Sequence, residues 1–166
     1  KNTGTSWSTL AVVATASSMR ALGASASKRV TMARGLNAER LLEQWDEIDR
    51  VAAKLKGFKV LKGCEVDILE KGGLDLPDDV LAGADWIVAS IHYGQNQPRE
   101  QITGRMLEAL ANPNVSAIAH PTGRIINRRK PYDLDFEKIL DAAAEYGKLL
   151  ELNANPARLD LDDIHC

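Results

Sequence analysis

The chain has 166 residues, of which 45% are hydrophobic and 27% charged, the proportions of a soluble globular domain; that size holds one hydrophobic core and argues against disorder or a fibrous repeat. Lysine and arginine number 21 against 23 acids, a net charge of -2, so there is no overall basic field to attract nucleic acid and any phosphate binding must be local. Cys64 and Cys166 form neither a C-x-x-C pair nor a disulfide framework, which points to a reducing cytoplasm, and no apolar run approaches the roughly 18 residues of a membrane helix.

Residues 1–27 differ in kind from the rest. Eighteen of them are Ala, Ser, Thr or Gly, and no acid precedes Glu39. They read as a leader of unclear origin, with an Ala-rich helix over residues 11–22, ahead of a domain spanning 28–166. Asn37 then caps a helix whose apolar positions Leu41, Leu42, Trp45, Ile48, Val51 and Leu55 recur at three and four, with Gly57 closing it. A strand follows over 59–68. Pro77 opens a short helix through Ala82, and 85–91 is a nearly continuous apolar strand. A helix over 98–111 stops at Asn112-Pro113, and 115–119 is strand again. Asp135 caps a helix to Tyr146, Gly147 ends it, 148–152 is strand, and 159–166 reads as the start of another helix.

Strands and helices therefore alternate, and the strands are apolar on both faces. That is the signature of parallel strands with helical crossovers, hence α/β. Pattern alone leaves a barrel and an open doubly wound sheet both standing. No Gly-x-Gly-x-x-Gly and no Walker loop is present, so the usual nucleotide-binding forms of the open sheet lack support.

Two of the three histidines sit at the carboxyl ends of predicted strands: His92 after Ile91 and His120 after Ala119. The strand before them carries Glu65. Separations of 27 and 28 residues equal one strand-plus-helix unit each, so consecutive parallel strands would present Glu65, His92 and His120 at one rim, where α/β folds build their sites. A carboxylate and two imidazoles gathered without a cation are costly to desolvate, and a divalent ion is the usual remedy. Two histidines and a carboxylate suit Mn or Zn, with Mg or Fe as alternatives. Glu151 and Asn153 share a parity at the next strand end, so both could look into the site and Asn153 is a candidate substrate contact, with a plain turn at Asn155-Pro156 as the equal alternative; Asp67 either faces the site or begins the following loop, and the loop is the favoured reading. After His120, Arg124, Arg128, Arg129 and Lys130 place four cations within seven residues, able to neutralise phosphate oxygens. Arg124, nearest the site, is the catalytic candidate among them, and Arg128 a further substrate contact; for Arg128, Arg129 and Lys130 a solvated basic loop competes with that reading.

The segments Val60-Leu61-Lys62-Gly63-Cys64-Glu65-Val66-Asp67-Ile68, Val88-Ala89-Ser90-Ile91-His92, Ala119-His120-Pro121-Thr122-Gly123-Arg124 and Leu150-Glu151-Leu152-Asn153-Ala154-Asn155-Pro156 resemble the polymerase and histidinol phosphatase (PHP) domain. Within it they are most similar to the C-terminal PHP domain of bacterial family X DNA polymerases. The resemblance implies a distorted (β/α)7 barrel with up to three metal ions at its C-terminal rim. It also implies Glu65, His92 and His120 as the protein ligands of one ion, with Glu65 shared with a neighbouring ion. The implied activity is metal-dependent phosphoester hydrolysis, a 3′-5′ exonuclease acting at a DNA 3′ end in repair, normally fused to a polymerase domain. A histidinol-phosphatase-like enzyme on small phosphate esters and a non-catalytic remnant that binds DNA or a protein are the alternatives. The family's opening His-x-His strand, its Asp-His strand and its closing Asp-x-His strand have no counterpart here, so the expectation is a partial barrel lacking its first strands and its last, with impaired activity.

Overall fold

The computed structural model describes residues 10–16 and 37–166; most of the expected leader therefore lies outside the described residues. Five strands form one sheet in the order β1-β2-β3-β4-β5: β1 Leu10–Ala16, β2 Phe58–Asp67, β3 Trp86–Ser90, β4 Ala117–Ile118 and β5 Leu149–Leu150. Every neighbouring pair is parallel. Strand order follows chain order with no reversal, which excludes the doubly wound alternative among the described strands and is compatible with part of an α/β barrel. The helices α1 Ala38–Ala52, α2 Asp78–Leu81, α3 Arg99–Ala111 and α4 Phe136–Tyr146 each return the chain from one strand to the next.

The expected helix over 11–22 is corrected where it is described. Leu10–Ala16 is a strand paired in register with β2, Leu10 opposite Phe58 through Ala16 opposite Cys64. Val12, Val13 and Thr15 are β-branched, and the free edge of β2 supplies a ladder that the small residues between them do not oppose; residues 17–22 lie outside the described residues.

Helix ends follow their capping chemistry. Asn37 accepts a hydrogen bond from the Arg40 backbone N–H (3.0 Å), and Asp135 accepts one from Lys138 N–H (3.4 Å). Gly147 closes α4 at φ 63°, a left-handed cap that a residue without Cβ adopts at no steric cost. α1 stops at Ala52, short of Gly57, as tighter turns from Lys54 to Val51 and Leu55 to Ala52 carry the chain on. Of its apolar stripe only Leu41 and Trp45 are buried; Leu42, Val51 and Leu55 are exposed.

The core lies between sheet and helices. Val66, Ile68, Ile87, Ala89, Ile91 and Ile118 meet Ile102, Met106 and Leu110 of α3 and Ile139 of α4. The helix expected over 159–166 is not formed: Asp160 makes a single antiparallel bridge with Asn153, and the rest is turns. Asp162 Oδ1 accepts from the Ile164 and His165 backbone N–H groups, local bonds that compete with helix propagation. Among the described residues no helix is long and apolar enough to cross a membrane.

Both cysteines are unpaired, Cys64 buried in β2 and Cys166 exposed. Desolvation, reinforced by the nearby Asp75 carboxylate, pushes the Cys64 thiol up to about 12. Native protein near pH 8 is therefore predicted to react with one equivalent of a thiol reagent and to release the second only on unfolding. Two rapid equivalents in the native state would contradict this packing.

Candidate metal centre

Glu65 projects from β2, His92 lies two residues beyond β3, and His120 two residues beyond β4. Because the strands are parallel and adjacent, all three emerge at one rim. One donor atom from each falls within 4.8 Å of the others. His92 Nε2 is 3.7 Å and His120 Nε2 3.8 Å from the same oxygen, Glu65 Oε1, and the two rings meet edge-on with centroids 5.2 Å apart. The two separations from Glu65 Oε1 lie within a few tenths of an ångström of the ~3.4 Å expected between donors that share one small divalent ion, and all three donors lie within 4.8 Å of one another.

The imidazoles are held from behind. His92 Nδ1 lies 2.6 Å from Asp67 Oδ1 and 3.3 Å from Ser90 Oγ, which commits that nitrogen and leaves Nε2 for the rim. Asp67 is therefore not the start of a loop. It is the last residue of β2, buried, two positions from Glu65 and hence on the same face, and it pairs with Ser90 in the ladder. The parity of Glu65 and Asp67 was the available signal.

His120 has φ 33°, in the left-handed region, at a backbone cost of about 1–2 kcal/mol for a side-chain-bearing residue. Its N–H donates to Glu151 Oε2 (2.6 Å), and its carbonyl accepts from Gly123 N–H (2.8 Å). Glu151 Oε1 in turn accepts from Asn153 Nδ2 (3.2 Å), so Asn153 orients the acid that fixes His120. Gly123 sits at φ 65°, where a Cβ would fall inside the Tyr132 ring. That close approach lets the Tyr132 hydroxyl donate to Ile91 O (2.7 Å), tying the loop after His120 to the strand before His92.

The electrostatics of the two histidines differ. Asp67 at hydrogen-bonding distance is the main cause that raises His92 above its ordinary value, against the opposing effect of burial. Burial lowers His120, with the positive charge of Arg158 and the neighbouring His92 acting in the same direction. Burial thus favours the neutral form of His120, while Asp67 favours the protonated form of His92, whose Nε2 proton would compete with a cation. His120 Nδ1 is buried with no partner among the described residues. Nitrogen and oxygen donors of this kind fit a divalent ion.

The cations are arranged differently from the sequence expectation. Arg124 donates to Arg158 O (3.0 Å), to Leu159 O and to Asp162 Oδ2 (3.2 Å), so its guanidinium fastens the C-terminal segment. Arg129 donates to Gly123 O (2.7 Å) and Gln95 Oε1 (2.6 Å). Arg128 is exposed near the tip of the hairpin closed by the Ile125–Arg129 bridge. The arginine whose charge acts on both histidines is Arg158, which sequence reasoning missed. Its Nη1 is buried without an acceptor among the described residues. It is the sole Lys or Arg in residues 149–166, seven residues beyond Glu151 in the segment that follows β5, and that position was the signal.

No family model matches the chain. It is 50% identical over 139 residues to the DNA polymerase/3′-5′ exonuclease PolX of Bacillus subtilis, which covers 84% of this chain and 24% of that protein. It is 41% identical over 104 residues to a "probable phosphatase" of Thermoanaerobacter sp., covering 60% of this chain and 40% of the relative. A "probable phosphatase" of Acetivibrio thermocellus is 40% identical over 102 residues with the same coverage of each chain. The chain thus spans from about a quarter to two fifths of the length of these relatives.

The raised His92 makes the site's cation affinity pH-dependent with a defined sign. A proton on Nε2 competes with the ion, so binding strengthens as pH rises through the elevated titration range of His92 and weakens below it, by about tenfold per pH unit at most for one displaced proton. Calorimetric titration with zinc in two buffers of different ionisation enthalpy should detect release of about one proton below that range. Affinity independent of pH between 5.5 and 7.5 would contradict the assignment.

Proposed function

We propose, on the premise that this chain belongs with the PHP-type segments of bacterial family X DNA polymerases, that it is a metal-dependent phosphoester hydrolase whose ion is held by Glu65, His92 and His120. The observation that carries this reading is the convergence of those three donors within 4.8 Å from the ends of consecutive parallel strands. A bound divalent ion would supply Lewis acidity toward a phosphoester oxygen and an attacking water. Everything else falls to the chain's own groups. Asp67 holds His92 by Nδ1, Glu151 holds the His120 backbone, and Glu65, whose side chain is 48% exposed, faces solvent and incoming substrate.

Arg158 takes the phosphate-binding role that the sequence pattern suggests for Arg124. A guanidinium with a buried nitrogen lacking an acceptor, beside a cation site, is an unsatisfied donor that an anion would complete, and its fork matches phosphate oxygens. Arg124 keeps Arg158 in place by binding its carbonyl. Arg128 and Lys130, exposed on the hairpin that follows His120, would meet a phosphodiester farther along a nucleic-acid strand. The finer reading is therefore a 3′-5′ exonuclease on DNA, as the name of the Bacillus subtilis relative has it, in a barrel of PHP type and joined to a polymerase domain in a repair enzyme of the cytoplasm. The names of the two phosphatase relatives favour a second reading, hydrolysis of small phosphate monoesters.

The purified chain, supplied with manganese, should release nucleotide from a 3′-ended oligonucleotide faster than phosphate from a small aryl phosphate; the reverse order selects the second reading. Replacing both His92 and His120 by Ala should abolish turnover of either. Arg158→Ala should lower kcat/KM on the order of 10²-fold, the usual loss for one transition-state donor, while Arg124→Ala acts chiefly on stability. Turnover that survives the double histidine replacement overturns the proposal.

A further inference from the structure

Behind the rim, α3 carries a charged side chain that the proposed chemistry does not use. Arg105 is 4% exposed and forms no ion pair among the described residues. Its guanidinium is satisfied instead by the backbone of two loops. Nε donates to Leu69 O (2.7 Å) and Nη2 to Ile68 O (2.6 Å), both immediately after Asp67. Nη1 and Nη2 each donate to Tyr93 O (3.1 Å), the residue after His92, and Nη1 also reaches Gln97 Oε1 (2.7 Å). A single planar fork therefore bridges the chain leaving β2 and the chain leaving β3, at the residues that follow the two members of the Asp67–His92 contact.

We propose that Arg105 is a positioning residue of the metal centre: by fastening the carbonyls that follow Asp67 to the carbonyl that follows His92, it sets the contact that turns His92 Nε2 toward Glu65. This rests on the reading of Glu65, His92 and His120 as an ion site, but its first test needs no ion. The ladder between β2 and β3 ends at Asp67 opposite Ser90, so beyond it one backbone bond, Ile68 N–H to Ser90 O (2.8 Å), joins the two strands before the chains part. Arg105 takes over where that ladder stops. Lysine cannot substitute, because a single ammonium lacks the spread of donors needed to hold both loops at once.

The test uses the metal-free, nitrogen-15-labelled chain, whose three histidines are resolved individually by their ring nitrogen–proton correlations. In the native protein, at a pH where His92 is neutral, His92 should show one tautomer, with the proton on Nδ1. Arg105→Lys should convert it to a mixture while His165 stays unchanged, and zinc affinity measured well below the melting temperature should fall at least tenfold. A folded Arg105→Lys protein with the native His92 pattern and zinc affinity within twofold of native overturns the proposal and leaves Arg105 a loop staple. If zinc binds neither protein, the ion reading fails and the His92 pattern alone decides the role of Arg105. Should Arg105→Lys not fold, Asp67→Asn probes the same coupling from its other end. Reciprocity then requires exchange of the Arg105 Nε–H to speed up several-fold, with the Arg50 Nε–H on α1 as reference; unchanged exchange overturns the proposal.

Discussion

Adjacent parallel strands must all end on the same edge of their sheet, and the centre depends on that constraint. β2, β3 and β4 lie side by side in chain order, so residues one strand-plus-helix unit apart arrive within a few ångströms of each other without any long loop to guide them. Backbone pairing sets their height. Glu65 lies opposite Val88, and Asp67 opposite Ser90, which places the carboxylate that holds His92 one step above the carboxylate that faces it. Chemistry here is a product of register, and a two-residue slip of β2 against β3 would separate Asp67 from His92.

Gathering like groups at one rim has costs that the surroundings offset. Two imidazoles beside each other disfavour double protonation, and the chain resolves this by making them unequal: Asp67 raises His92, burial lowers His120. His120 adopts a backbone conformation uncommon for a residue with a side chain, and Glu151, Gly123 and Tyr132 enclose its loop. Arg124 and Arg105 both direct their donors mainly to backbone carbonyls. A guanidinium can satisfy several carbonyls at once, so loops that lack a ladder of their own are fixed by a side chain instead.

Some of this was legible in the sequence and some was not, for physical reasons. The caps Asn37 and Asp135 and the stop at Gly147 are local chemistry and were readable as such. The convergence of Glu65, His92 and His120 followed from spacing, because spacing in a parallel sheet is geometry. β1 was misread because Ala-rich composition favours helix locally, whereas the ladder offered by β2 is a tertiary effect. Asp67 stands where sequence allows both a strand end and a loop start, and its parity with Glu65 is what the structure bears out. Arg158 and Arg105 were hidden because a guanidinium's direction is set by which carbonyls its loop partners expose, and no spacing rule encodes that. The basic cluster after His120 drew attention to Arg124, whose donors turn toward Arg158 O, Leu159 O and Asp162.

X-ray absorption of the zinc-loaded chain tests the central claim most directly, since multiple scattering from imidazole rings counts histidine ligands. Two imidazoles and oxygen donors at about 2.0–2.1 Å are predicted, falling to one imidazole in His92→Ala and in His120→Ala. A native spectrum without imidazole scattering, or a histidine count that neither replacement changes, would contradict the account.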